Sequence, residues 1–176
     1  MAARQPLPRA WLVTDERQGD KLLPAVERLP FGSGILFRHY SLAGPARRAL
    51  FREIRAIARR RGHLLLLSGS PAQARSWGAD GWHGKGRGGG LHSASVHNLS
   101  EMRSAERAGA SILFVSPVYP TASHPGAATL GPGGFARLAH RTELPVIALG
   151  GLNREKAPRL MASGAYGWAA VDAWVA

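Results

Sequence analysis

The segment PVIALGGLNREKAPRLMASGAYGWAAV, Pro145 to Val171, decides the fold. A short apolar run, Val146 to Leu149, leads into Gly150-Gly151. A helical stretch from about Arg154 to Ala162 follows and ends at Gly164. Trp168 to Val171 is then a second apolar run. Strand, helix and strand at this spacing specify a parallel pair joined by a right-handed crossover. The same alternation recurs toward the N-terminus. Apolar runs at Trp11 to Thr14, Gly34 to Phe37 and Leu64 to Leu67 precede helical stretches at Lys21 to Arg28, Pro45 to Arg61 and Pro71 to Trp77, the last with Pro in its first turn, where the missing N–H costs nothing. Gly81 to His83 breaks the pattern, because a glycine run carrying Lys85 and Arg87 follows it and offers no firm helix. Ser93 to His97 resumes the pattern. There Asn98 with Glu101 three residues on reads as the capped start of a helix to about Ala108. Ile112 to Ser116 leads to a Pro/Gly/Thr-rich loop and a helix from near Gly134 to about His140.

Eight strands alternating with helices leave a (β/α)8 barrel or a doubly wound open sheet. The first strand is not followed by GxGxxG, which removes the best support for a dinucleotide-binding sheet. The 176 residues allow 22 per unit, about the sum of a strand of ~5, a helix of ~11 and two short loops. The expectation is therefore one domain spanning residues 1–176, a minimal (β/α)8 TIM barrel of the α/β class with an eroded fourth helix and a missing or truncated eighth.

The 23 Lys and Arg exceed the 11 Asp and Glu by 12. Twenty of the 23 cations are Arg, and seven of these lie between positions 47 and 61. Arg48, Arg52, Arg55 and Arg59 recur at helical spacing opposite Leu50, Phe51, Ile54, Ile57 and Ala58, so this is an amphipathic helix with a solvated basic face. It lacks the interleaved aromatics of a single-strand platform, and a nucleic-acid partner is not expected despite the +12 charge. No apolar stretch approaches the ~18 residues of a membrane span. The first nine residues lack a signal-peptide core, so a cytoplasmic location is expected. Cysteine is absent, which excludes disulfide frameworks and thiolate chemistry.

In a barrel, chemistry belongs at the C-terminal ends of the strands. Those ends and their loops collect Asp15, Arg38, His83, Lys85, Ser95, His97, Ser116, Thr121, Ser123, His124, Gly150, Gly151 and Asp172. His97 reads either as a general base or as a hydrogen-bonded structural residue; His83, between Trp82 and Gly84, reads as structural. Arg38 reaches the mouth only if Phe37 points outward. Gly150-Gly151 lets backbone N–H groups approach an anion where barrels commonly hold phosphate.

These stretches carry a resemblance. Trp11 to Asp15, Gly78 to His83, Ser95 to Glu101, Gly109 to Thr121 and Pro145 to Leu152 together resemble the thiamine phosphate synthase and TenI family across almost the whole chain, most strongly from Ser95 to Asp172. The family is a (β/α)8 barrel. Its synthase branch joins a pyrimidine diphosphate to a thiazole phosphate with Mg2+-assisted loss of diphosphate; its TenI branch aromatises a thiazole carboxylate phosphate by moving a proton. The resemblance implies that Arg38 is what remains of a Gln-x-Arg-x-Lys motif, and that the Asn-Asp pair after the third strand has become Ser68-Gly69. It also implies that the acidic residues after the fourth strand have become Gly86-Arg87-Gly88. Both Mg2+ carboxylates are thus replaced, and no metal or other cofactor is expected. The thiazole side keeps Ser95, Thr121, Ser123, Gly150 and Gly151; His124 stands for a usual Lys and Asp172 for a phosphate-binding Ser. His97 inherits the TenI catalytic position. The expected partner is a small thiazole phosphate, in a chain that can form homo-oligomers. Its first expected activity is a metal-independent thiazole tautomerase or related proton transfer. The alternatives are a divergent synthase using Arg38, Lys85 and Arg87 in place of Mg2+, and an inactive phosphate-binding relative.

Overall fold

A computed structural model describes residues 6–121, 126 and 128–175. Its elements in chain order are β1 (Ala10–Val13), α1 (Leu22–Arg28), β2 (Gly34–Phe37), α2 (Gly44–Arg60), β3 (Leu64–Ser68), α3 (Pro71–Trp77), β4 (Gly81–His83), β5 (Leu91–Val96), α4 (Leu99–Arg107), β6 (Ile112–Val115), α5 (Gly131–Ala139), β7 (Val146–Leu149), α6 (Ala157–Met161) and β8 (Gly167–Ala170). A 3-10 turn, Glu16–Lys21, precedes α1. The strands pair in parallel in sequence order, and β8 returns to β1 with Trp11 opposite Ala169, closing the barrel.

Strand parity sorts the core into layers. Trp11, Val13, Leu36, Leu66, Ile112, Phe114, Ile147 and Ala169 fill the interior, where the Trp11 and Phe114 rings meet edge-on at 5.3 Å. Gly34 is required there, because a Cβ at that position would enter the Trp11 indole. The alternate residues face the helices. Leu12, Ile35, Phe37, Leu65 and Leu67 pack on one side with Phe51 and Ile54 of α2. Val96, Leu113, Val115, Val146 and Ala148 pack on the other with Met102 and Phe135.

No helix joins β4 to β5; residues 84–90 cross the barrel wall as a loop. Gly88 fits there because a Cβ would strike the Pro71 ring. Beneath the loop the Trp82 and His92 rings stack at 3.7 Å. β5 starts at Leu91 rather than Ser93, since Leu91 and His92 already pair with Gly81 and Trp82. Among the described residues no helix follows β8, and no helix is long and apolar enough to cross a membrane.

Three expectations are corrected. α5 begins at Gly131, with Pro132 in its first turn, not near Gly134. α6 begins at Ala157 rather than Arg154; residues 154–156 before it form a turn in which the Asn153 side chain accepts the Lys156 N–H at 3.0 Å. Of the four arginines expected on the solvated face of α2, Arg55 is tied down instead, and two further arginines of this stretch, Arg47 and Arg61, are also bonded to carbonyls. Arg47 is buried and donates to the carbonyls of Arg38 (2.9 and 2.7 Å) and Ser68 (2.7 Å); Arg55 donates to Gly78 O and Arg61 to Leu29 O, each at 2.8 Å.

Candidate functional site

Phe37 packs outward against Phe51, so Arg38, one residue on, turns into the mouth. It is held from three directions. Its N–H donates to Thr14 Oγ1 at 2.9 Å, its Nε to Thr14 O at 3.1 Å and its Nη2 to Asp15 Oδ2 at 3.0 Å. Burial works against the Asp15 carboxylate, but the hydrogen bonds from Arg17 and the charges of Arg17 and Arg38 outweigh it and hold its pKa below the ordinary range. His39 follows with φ 43°, a left-handed backbone uncommon outside glycine. Its buried ring lies 2.9 Å from Thr14 Oγ1 and stacks on Phe37 at 5.2 Å. Burial lowers its pKa, aided by the Arg47 and Arg38 charges against Glu16 and Asp15.

On the wall formed by β4 and β5, His83 is buried, with Nδ1 2.8 Å from Ser93 Oγ and Nε2 3.0 Å from Ser95 Oγ. Burial, helped by the charges of Arg38 and His92, pushes its pKa down to about 3. It is a neutral ring that aims the Ser95 hydroxyl, in keeping with a structural role. His97 ends this wall half-exposed, its Nδ1 2.7 Å from Glu101 Oε2. A carboxylate only accepts, so Nδ1 carries the proton and Nε2 is left as the basic nitrogen. Burial raises the Glu101 pKa, but the hydrogen bonds from His97 and Asn98 bring it below its usual value.

The third wall joins the loops after β6 and β7. Gly150 and Gly151 have φ of 104° and 61°. A Cβ on Gly150 would lie 2.8 Å from Pro117 Cα, and one on Gly151 would run into Pro120 O. Tyr119 N donates to Gly150 O at 3.1 Å, fastening the two loops. Lys156 Nζ donates to Gly151 O at 3.2 Å and lies over the Tyr119 ring, while Arg154 lies over Trp174.

These walls enclose a cavity of about 850 Å3 at the C-terminal end of the barrel, lined by Arg38, Ser95, His97, Thr121, Gly150, Gly151 and Asp172 among others. Residues 90–174 match the family described as thiamine monophosphate synthase. A putative thiamine-phosphate synthase 2 of Aquifex aeolicus is 28% identical over 94% of this chain and 97% of its own length. A thiamine-phosphate synthase of Chloroflexus aurantiacus is 35% identical over 70% of this chain and 63% of its own. The chain is thus similar to the thiamine monophosphate synthase family, most clearly over its C-terminal half. A thiamine phosphate pyrophosphorylase from Pyrococcus furiosus shares the fold, with a TM-score of 0.81 at 23% identity over 97% of this chain and 88% of that one.

Of the residues expected in a thiamine monophosphate synthase site, Lys85 is the one placed elsewhere. Gly84 N extends the pairing to Ser93 O, and the loop then turns outward over Trp82. Lys85 therefore lines a second cavity outside the wall. Ser123 and His124 lie outside the described residues. Arg154 and Lys156, which reach the mouth, were missed because periodicity assigns them to a helix. The signal that finds them is two cations three and five residues after a Gly-Gly turn. Asp172 shares the cavity, and Arg17 Nη2 lies 3.8 Å from its carboxylate.

The donor set does not fit the family's Mg2+. At the third strand Ser68 Oγ bonds to Tyr40 OH, and Gly69 supplies no side chain. The fourth-strand loop offers Arg87, a cation where a hard dication wants carboxylate oxygen.

Proposed function

We propose that this chain is a divergent thiamine phosphate synthase that binds a thiazole phosphate at the Gly150-Gly151 turn and a pyrimidine diphosphate beneath Arg38, without a carboxylate-held Mg2+. The observation that carries this reading is the pairing of two cationic stations in one cavity, Arg38 on one wall and Arg154 with Lys156 on another. Two anionic substrates need two such stations, because like charges brought together without them repel. Thr121 and Ser95 offer hydroxyls between the two. In the coupling step the carbon–oxygen bond to diphosphate breaks with its electron pair leaving on diphosphate, and the lone pair of the thiazole ring nitrogen forms the new bond to that carbon. Arg38, already oriented by Asp15 and Thr14, takes up that charge without reorganising. Charge-assisted hydrogen bonds to the dianionic thiazole phosphate hold the other substrate. The named relatives are synthases, which favours this reading over tautomerisation.

Product formation from the two substrates, measured with Mg2+ and after exhaustive chelation, tests it. Activity that survives chelation is expected. Calorimetry should find no micromolar Mg2+ site without a phosphate ligand, and finding one removes the metal-independent part of the proposal. Failure to bind thiazole phosphate at ~1 mM would leave an inactive relative; binding at ~100 times the dissociation constant should add ~2.7 kcal/mol of stability.

One observation favours proton transfer as a second reading: the His97–Glu101 pair leaves Nε2 basic beside the cavity. On that reading His97→Ala lowers the turnover of thiazole carboxylate phosphate by ~10² to 10⁴ with little change in affinity. If wild-type protein shows no exchange of the ring proton, that reading falls.

A further inference from the structure

The glycine loop that replaces the fourth helix leaves the second cavity, of about 420 Å3, between residues 84–87, β5 and α4. This volume is within the ~300–1,000 Å3 of small-molecule pockets. Its lining combines an apolar patch of Ala94, Ala105 and Ala108 with the polar His92, Ser95 and Ser104, and it carries the exposed Lys85, Arg87 and Arg107. None of these three cations has an ion-pair partner among the described residues. The one carboxylate in the lining, Glu101, is committed to His97 and Asn98.

The geometry points to a second binding site here, outside the barrel mouth, for a small molecule that joins a flat apolar body to a phosphate group. The alanine patch takes the body, since methyl groups and backbone offer it van der Waals contact. The phosphate suits the exposed cations, because its oxygens accept from several donors at once and two of the three are planar, multiply donating guanidinium groups. A merely solvated basic face looks different. Arg48, Arg52 and Arg59 of α2 line neither cavity. Ser95 lines both cavities, with its hydroxyl 3.0 Å from His83 Nε2, so the two sites meet at one residue.

Phenyl phosphate is the probe, titrated into the isotopically labelled full chain while amide resonances are followed. Shifts are expected at residues 84–87 and 104–108. Inorganic phosphate should bind more weakly, lacking a body for the alanine patch. Arg87→Glu combined with Arg107→Glu should weaken the phenyl phosphate response at least roughly tenfold, about 1.4 kcal/mol, while Lys156→Ala leaves it unchanged. Both arginines are exposed, and an unchanged circular dichroism spectrum confirms the fold of the double variant. Shifts confined to residues 150–156, shifts insensitive to the charge reversal, or no shift at ~5 mM probe, well above the range of a specific small-ligand site, would overturn the inference. The proposed thiazole phosphate site is read from residues 150–156 in the same spectra, so either site can fail alone.

Discussion

Lys156 shows how one side chain joins structure to binding. Its Nζ already donates to Gly151 O, so two of its donors remain for a phosphate beside the glycine turn. Lys156→Ala should weaken thiazole phosphate binding by about 1 kcal/mol, roughly fivefold in Kd, a figure discounted for solvent exposure. Titration calorimetry measures it, and unchanged affinity would place the phosphate elsewhere. His83 makes a different prediction, of stability against pH. Its folded pKa of about 3 lies below the ordinary 6.5, so between these values the unfolded chain binds a proton that the folded chain refuses. The stabilisation is full above pH 6.5 and is lost as pH falls toward 3. From pH 7 to pH 5 this group alone should cost about 2 kcal/mol. His39 and His63 are also lowered by burial and act in the same direction. Urea denaturation at the two pH values tests this, and His83→Gln should flatten the difference.

At the scale of elements, α2 combines what was legible with what was not. Its apolar stripe placed Phe51, Ile54 and Ile57 correctly in the core, because helical period depends on nearest neighbours alone. The same period sets Arg47 on the Phe51 and Ile54 face, apart from Arg48, but it does not show what a buried guanidinium would bind there. Its partners come from the ends of β2 and β3, whose carbonyls at Arg38 and Ser68 arrive beside Arg47 once the barrel closes. The same limit explains Arg154 and Lys156, whose turn includes the bond to the Asn153 side chain and which helical period alone absorbs. Gly150 and Gly151, by contrast, were legible as a tight turn at the barrel mouth, since two glycines after a strand already signal backbone shape. Arg47→Ala should cost about 3 kcal/mol, because carbonyls buried with it lose charged donors, whereas Arg52→Ala on the exposed face should stay within ~0.5 kcal/mol. Arg47→Lys should not rescue fully, since an ammonium lacks the planar fork that spans both carbonyls. Chemical denaturation of the three variants separates a backbone staple from a surface charge.

The whole molecule adds a field to these local contacts. Its formal charge is +12 with histidines neutral, and arginines form much of that excess on outer helix faces where they touch neither cavity. Such charges contribute little to the affinity of a bound ligand, since solvent screens them, but they act on an anion during its approach. Closure of the barrel by β1 and β8 leaves the C-terminal mouth as the low-dielectric opening toward which that field is focused. Thiazole phosphate should therefore associate faster at low salt. Raising ionic strength from about 0.01 M to about 0.15 M shortens the Debye length from ~30 to ~8 Å, and the association rate should fall by roughly tenfold or more. The dissociation rate, which the proposed contacts at Lys156 and the glycine turn would set, should change much less. The dephosphorylated thiazole alcohol provides the control, since a neutral ligand feels no such field. Stopped-flow measurements in which phosphate and alcohol show the same salt dependence would mean that the outer arginines do not steer substrate.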